Sequence, residues 1–79
     1  MSSDSKFDVE LDCSNLSCPL PVLKTKQAIS KLSSGQVLKM ISTDPGSNQD
    51  MDSWSRRTGN PLLSTEAEGD KNIFYIQKK

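Results

Sequence analysis

The chain has 79 residues, with ten lysine or arginine side chains balancing ten aspartate or glutamate side chains, no histidine and two cysteines. A chain this short holds one small domain with a single core, and its balanced charge supplies no field for direct binding to nucleic acid or anionic lipid. No apolar run is long enough to cross a bilayer. Without histidine the usual general base and the usual metal ligand are missing, and two cysteines alone cannot fill a tetrahedral zinc site, so no metal is expected.

Residues 1–6, Met1-Ser2-Ser3-Asp4-Ser5-Lys6, read as a flexible polar tail. They lack the apolar stretch of a secretory signal, which points to a cytoplasmic protein, and residues 7–79 read as one folded domain. Phe7, Val9 and Leu11 alternate with Asp8, Glu10 and Asp12, the period of a half-buried strand. A turn is expected through Cys13-Ser14-Asn15. From Pro19 to about Leu32, Val22, Thr25, Ile29 and Leu32, with Ala28 beside them, fall on one side of a helix at roughly 100° per residue. Lys24, Gln27 and Lys31 face away. Gly35, after Ser33-Ser34, is available as a left-handed cap for this helix.

Gln36 to Thr43 reads as a strand, and Val37, Leu38, Met40 and Ile41 are so nearly continuous that the strand should be central. Asp44-Pro45-Gly46 breaks the chain. Ser47 to Thr58 is a second helix: Ser47 and Asp50 have the spacing of a capping pair, Met51, Trp54 and Thr58 share a face, and Asp52 can pair with Arg56. Gly59 closes it. Leu62 to Glu66 is a short strand, Ala67 to Lys71 a polar turn, and Asn72 to Gln77 a last strand built on Ile73, Phe74, Tyr75 and Ile76. The order is β-α-β-α-β-β. The two helical stripes are the only large apolar faces, so both helices should pack on one face of the sheet.

The most reactive candidate is Cys18. Proline suits the first helical position, so Pro19 makes Cys18 the N-cap of the first helix. The free N–H groups and the positive end of the helix dipole would then stabilise a thiolate or an anionic sulfur species. The alternative is a small buried filler. Pro21 lies within the turn whose N–H groups lack partners, so it costs no hydrogen bond and, with Pro19, shapes the surroundings of the thiol. Leu20 and Leu23 point away from the apolar stripe, either as a docking surface beside Cys18 or as residues that a neighbouring loop covers. Lys24 and Lys26 at their edge either meet an acidic partner or are ordinary solvated charges. Cys13 has three open roles: core filler at a strand end, resolving thiol for Cys18, or second sulfur acceptor. Four residues separate the two cysteines, so the Cys-x-x-Cys spacing of dithiol oxidoreductases is absent.

The segment Leu11-Asp12-Cys13-Ser14-Asn15-Leu16-Ser17-Cys18-Pro19-Leu20-Pro21-Val22-Leu23-Lys24 resembles the TusA/SirA family of small sulfur carrier proteins. Asp44-Pro45 after the second strand, and the element order over residues 7 to 78, extend the likeness. Asn15 stands where members commonly have glycine, and Cys13 where many have a small residue without a thiol; asparagine also tolerates a left-handed backbone. The resemblance implies that residues 7–79 form a single TusA-like α/β two-layer sandwich, a four-stranded mixed sheet with two helices on one face. It further implies a sulfurtransferase-type carrier with no cofactor beyond a covalent persulfide on Cys18. The implied partners are a sulfur donor, such as a cysteine desulfurase or rhodanese-like protein, and a downstream acceptor protein. The pathways open to it are tRNA thiolation, molybdenum-cofactor sulfuration and sulfur oxidation. Two rival functions remain: a dithiol redox protein using Cys13 and Cys18, and a non-catalytic regulatory module in which Cys18 is structural.

Overall fold

The computed structural model describes residues 7–17 and 20–79; the polar tail of residues 1–6, Cys18 and Pro19 lie outside the described residues. In chain order the elements are β1 (Val9–Cys13), α1 (Leu20–Ser30), β2 (Val37–Ser42), α2 (Ser47–Thr58), β3 (Leu62–Glu68) and β4 (Lys71–Gln77). The sheet order is β1-β2-β4-β3, with β1 parallel to β2 and the other neighbours antiparallel. Helix α1 packs over β1 and β2, α2 packs over β3 and β4, and the helices touch each other. The expected element order and mixed sheet are therefore the observed ones.

Register decides which side chains meet the helices. The pairs Leu11 with Met40, Leu38 with Ile76, and Met40 with Phe74 put these residues on one face. Ile29 from α1 and Met51 and Trp54 from α2 join them in one core, with Val22, Ala28, Leu32, Leu16 and Leu62 at its margin. Leu38, Met40, Met51, Phe74 and Ile76 are completely buried, and each such side chain contributes roughly 1.5–3 kcal/mol. The near-continuous apolar run of β2 follows from its place between β1 and β4. On the other face, Ile73 and Tyr75, both buried, are opposite Ile41 and Lys39. The Lys39 ammonium lies 4.0 Å from Glu10 Oε1 and 5.1 Å from the Phe7 ring centroid.

Several local expectations change. Phe7 precedes β1, and Cys13 ends the strand instead of opening the turn, because pairing with β2 runs from Val9 with Leu38 to Cys13 with Ser42. Helix α1 stops at Ser30; the N–H groups of Lys31 and Leu32 donate to the carbonyls of Ala28 and Ile29 at 3.1 and 3.0 Å, a tightened final turn. Gly35 is left-handed at φ 89°, but it serves a separate turn closed by the Gln36 N–H donating to the Ser33 carbonyl, so it is not the helix cap. Ser47 does not cap α2. It is already inside the helix and buried, its hydroxyl 2.6 Å from that of Ser42, and the N-cap is Gly46 without a side-chain bond. Asp44 organises the approach instead: its Oδ1 accepts the Gly46 N–H and its carbonyl accepts the Ser47 N–H, both at 3.0 Å.

The β3–β4 hairpin is tighter than its polar sequence suggests, with only Gly69 and Asp70 between the strands. Strand β3 is an edge strand exposed from Leu63 to Glu68, so burial left no apolar alternation to read. An irregularity between Leu62 and Ser64 shifts its register against β4. The close of α2 is as expected: Gly59 adopts φ 79°, its N–H donates to the Ser55 carbonyl at 2.9 Å, and Asp52 pairs with Arg56. Beyond it, buried Asn60 accepts the Lys79 N–H at 2.9 Å through Oδ1 and the Ser55 hydroxyl at 2.7 Å through its carbonyl.

These contacts give a stability prediction at the end of α2. Gly59→Ala forces a side chain into the left-handed region and brings its Cβ to 3.1 Å from Lys79 Cδ, so urea unfolding should show a loss of about 1–2 kcal/mol. Gly35→Ala has the same backbone penalty but an open space for its Cβ, and should lose no more than Gly59→Ala. An unchanged midpoint for Gly59→Ala would show that the cap contributes nothing.

Candidate functional site

Parallel neighbours end at the same edge of a sheet. The chain leaving β1 runs through residues 14–19 into α1, and the chain leaving β2 runs through residues 43–46 into α2, so both helices begin at this end. In α/β structures such an end gathers ligands and reactive groups, because free N–H groups at the helix starts point into it. Cys18 belongs to the first of these loops by sequence. It and Pro19 lie outside the described residues, so their capping arrangement rests on the sequence.

Ser14 N–H donates to Asp12 Oδ1 at 2.9 Å, and Leu16 N–H donates to the Cys13 carbonyl at 3.2 Å, closing a tight turn. Asn15 sits in that turn at φ 67°, using the left-handed tolerance of asparagine. Its N–H donates to Thr43 Oγ1 at 2.9 Å, which ties the loop after β1 to the loop after β2. Leu16 packs on the margin of the core, and Leu20 N–H donates to the Ser17 carbonyl at 2.9 Å. Nothing local in the sequence singles out Thr43, because its bond spans 28 positions.

Small residues of the adjoining elements are buried: Cys13 and its strand partner Ser42, Ser47 in α2 and Thr25 in α1. The Thr25 hydroxyl donates to the Pro21 carbonyl at 2.8 Å, and Ser42 Oγ accepts the Asp44 N–H at 3.2 Å besides meeting Ser47. With partners for these hydroxyls, burial carries little penalty. Pro21 is completely buried in the first turn of α1. Leu20 and Leu23 stand on the outside, 43% and 48% exposed, and Lys24 and Lys26 are exposed beside them. Leu20, Leu23 and Lys24 are neighbours at helical spacing.

Cys13 is completely buried among core residues. Burial, reinforced by the negative charge of Asp12, pushes its thiol above the ordinary value of 9.0, with Lys24 opposing weakly. The folded protein therefore holds this thiol neutral at pH 7. Its contribution to stability is complete below the ordinary value and is lost as pH rises through the folded one. Asp12 is exposed, and its carboxyl is held below 3.8 by the side-chain and backbone hydrogen bonds of Ser14. Among the described residues no cluster of three or more His, Cys, Asp or Glu could hold a metal, and no helix is long and apolar enough to cross a membrane.

Comparison with known proteins gives matches along the whole fold. The family model described as sulfurtransferase TusA matches residues 9–78. The sulfur carrier protein TusA of Allochromatium vinosum is 51% identical over 72 residues, covering 91% of this chain and 95% of that protein. A putative sulfur carrier protein of Aquifex aeolicus is 53% identical over 73 residues, which is 92% of this chain but 37% of that longer protein. The crystal structure of a SirA-like protein from Desulfitobacterium hafniense superimposes with a TM-score of 0.78, covering 89% of this chain and 96% of that one at 21% identity, a likeness of fold.

The burial of Cys13 sets its reactivity. In a Cys18→Ser variant, iodoacetamide at pH 8 should modify Cys13 at least about tenfold more slowly in the native protein than in urea, since both the thiolate fraction and access are reduced. Equal rates in the two conditions would mean that the β1 end is open.

Proposed function

The chain belongs to the TusA family, and from that premise we propose that it is a sulfur carrier whose Cys18 takes sulfane sulfur from a donor as a persulfide and passes it to an acceptor protein. Family membership over residues 9–78 is the observation that carries this reading. In the loading step the Cys18 thiolate attacks the outer sulfur of a donor persulfide. A new sulfur–sulfur bond forms on Cys18, the donor's own sulfur–sulfur bond breaks, and the donor leaves as a thiolate. An acceptor thiolate then attacks the outer sulfur, and Cys18 departs as a thiolate. No external oxidant or reductant is consumed.

The requirements are few, and the chain's residues suit them. The start of a helix favours the anionic forms of sulfur at Cys18, with Pro19 and Pro21 stiffening the approach. No histidine is needed, because no water is activated and no amine protonated. Cys13, neutral and buried in the core, supports assigning the chemistry to Cys18 alone. Leu20 and Leu23, exposed on the first turns of α1, supply an apolar centre for docking, and Lys24 and Lys26 steer acidic partners. The donor is a persulfide-bearing protein of the cysteine desulfurase or rhodanese-like kind. The acceptor serves tRNA thiolation, molybdenum-cofactor sulfuration or sulfur oxidation, in the reducing cytoplasm where a free thiol persists.

Intact-mass measurement after incubation with a persulfide donor tests the reading. Wild type and Cys13→Ser should gain the mass of sulfur, and Cys18→Ser should gain none; loss of loading in a folded Cys13→Ser variant would overturn the single-thiol mechanism. Leu23→Asp should slow transfer to or from a partner protein by about tenfold while changing the alkylation of Cys18 by a small reagent by less than about twofold. An equal loss of both rates would assign Leu23 to the thiol's own surroundings and remove the docking surface.

A further inference from the structure

Three bonds fix the turn that precedes Cys18, and one of them differs in kind. Ser14 to Asp12 and Leu16 to Cys13 are local bonds that a short peptide turn can make by itself, and they do not fix the turn relative to another element. The bond from Asn15 N–H to Thr43 Oγ1, 2.9 Å long and 28 positions apart, does so. It acts at the point where the chain reverses through φ 67°, a conformation that asparagine tolerates. Thr43 follows Ser42, the last residue of central β2, whose hydroxyl meets Ser47 in the first turn of α2 and accepts the Asp44 N–H.

We propose that Thr43 is a positioning residue for the thiol: by accepting the Asn15 N–H it links the turn that precedes Cys18 in the chain to the loop that opens α2, and so sets the reactivity of that thiol. The proposal rests on Cys18 being the reactive group. Asn15 is exposed, so water can hydrate its N–H when the hydroxyl is removed. Global stability then changes little while the turn is released, which separates a positioning role from a structural one.

The test compares Thr43→Val, which keeps the branched shape and removes the acceptor, with Thr43→Ser, which keeps the oxygen. Amide exchange at Asn15 should quicken by about fivefold or more in Thr43→Val, the equivalent of one ordinary hydrogen bond. Alkylation of Cys18 at pH 7 should slow by about threefold to tenfold, with its pH profile displaced upward, because a less well-held thiolate is a smaller fraction of the thiol. Thr43→Ser should restore both, and thermal unfolding of all three proteins should coincide closely. Faster exchange with an unmoved Cys18 pH profile would make the bond merely structural, and unchanged exchange would mean that Thr43 does not hold Asn15; either overturns the proposal. If Thr43→Val fails to fold, Thr43→Ala replaces it, and unfolding of both would assign Thr43 to stability alone. Loading of the wild type with glutathione persulfide is measured alongside by intact mass. Failure of Cys18 to load sinks the carrier reading, while the alkylation profiles still decide whether Thr43 governs the thiol.

Discussion

A hairpin cannot join two parallel strands, so the chain leaving β1 must travel back along the sheet before it can pair as β2. Helix α1 makes that return, and the single parallel pair in an otherwise antiparallel sheet governs most of the remaining architecture. It lays α1 over β1 and β2, where Pro21, Thr25 and Ile29 are buried. It also brings the ends of both strands, and the starts of both helices, to the same edge. An antiparallel pairing of β1 and β2 would separate the loop that contains Cys18 from the loop that opens α2.

The two ends of this small sheet are built differently. At the end opposite the site, the last residues bind tightly to their neighbours: Gly35 N–H donates to the Lys78 carbonyl at 2.8 Å, Lys78 N–H to the Gln36 carbonyl at 2.7 Å, and Lys79 N–H to Asn60. At the site end the backbone turns rely on side-chain acceptors, the hydroxyls of Ser42 and Thr43 and the carboxylates of Asp12 and Asp44. Such bonds fix loop geometry without demanding apolar volume. A core of a few completely buried side chains is thus left to supply the stability while the loops stay polar and accessible.

The two cysteines illustrate how position in the fold separates residues of one chemical type. Cys13 ends β1 facing the helices, where burial and the neighbouring Asp12 keep its thiol protonated. Cys18 comes five residues later in the chain, past the left-handed turn at Asn15, in the loop that feeds α1. The intervening turn is therefore what divides a core thiol from one proposed to carry sulfur.

Strand and helix order, the inward stripe of each helix, the close of α2 at Gly59 and the Cys-Pro-x-Pro segment are all legible in the sequence, because each depends on residues within about four positions of one another. Tertiary structure decided the rest. Whether Cys13 ends a strand or begins a turn depends on where β1 meets β2; Ser47 left its capping role because Ser42 offered a buried hydroxyl; and β3 lengthened past its polar appearance because β4 supplied its hydrogen bonds. The contact between Asn15 and Thr43 belongs to this second class. It exists only because parallel pairing sets side by side two loops that lie far apart in the chain.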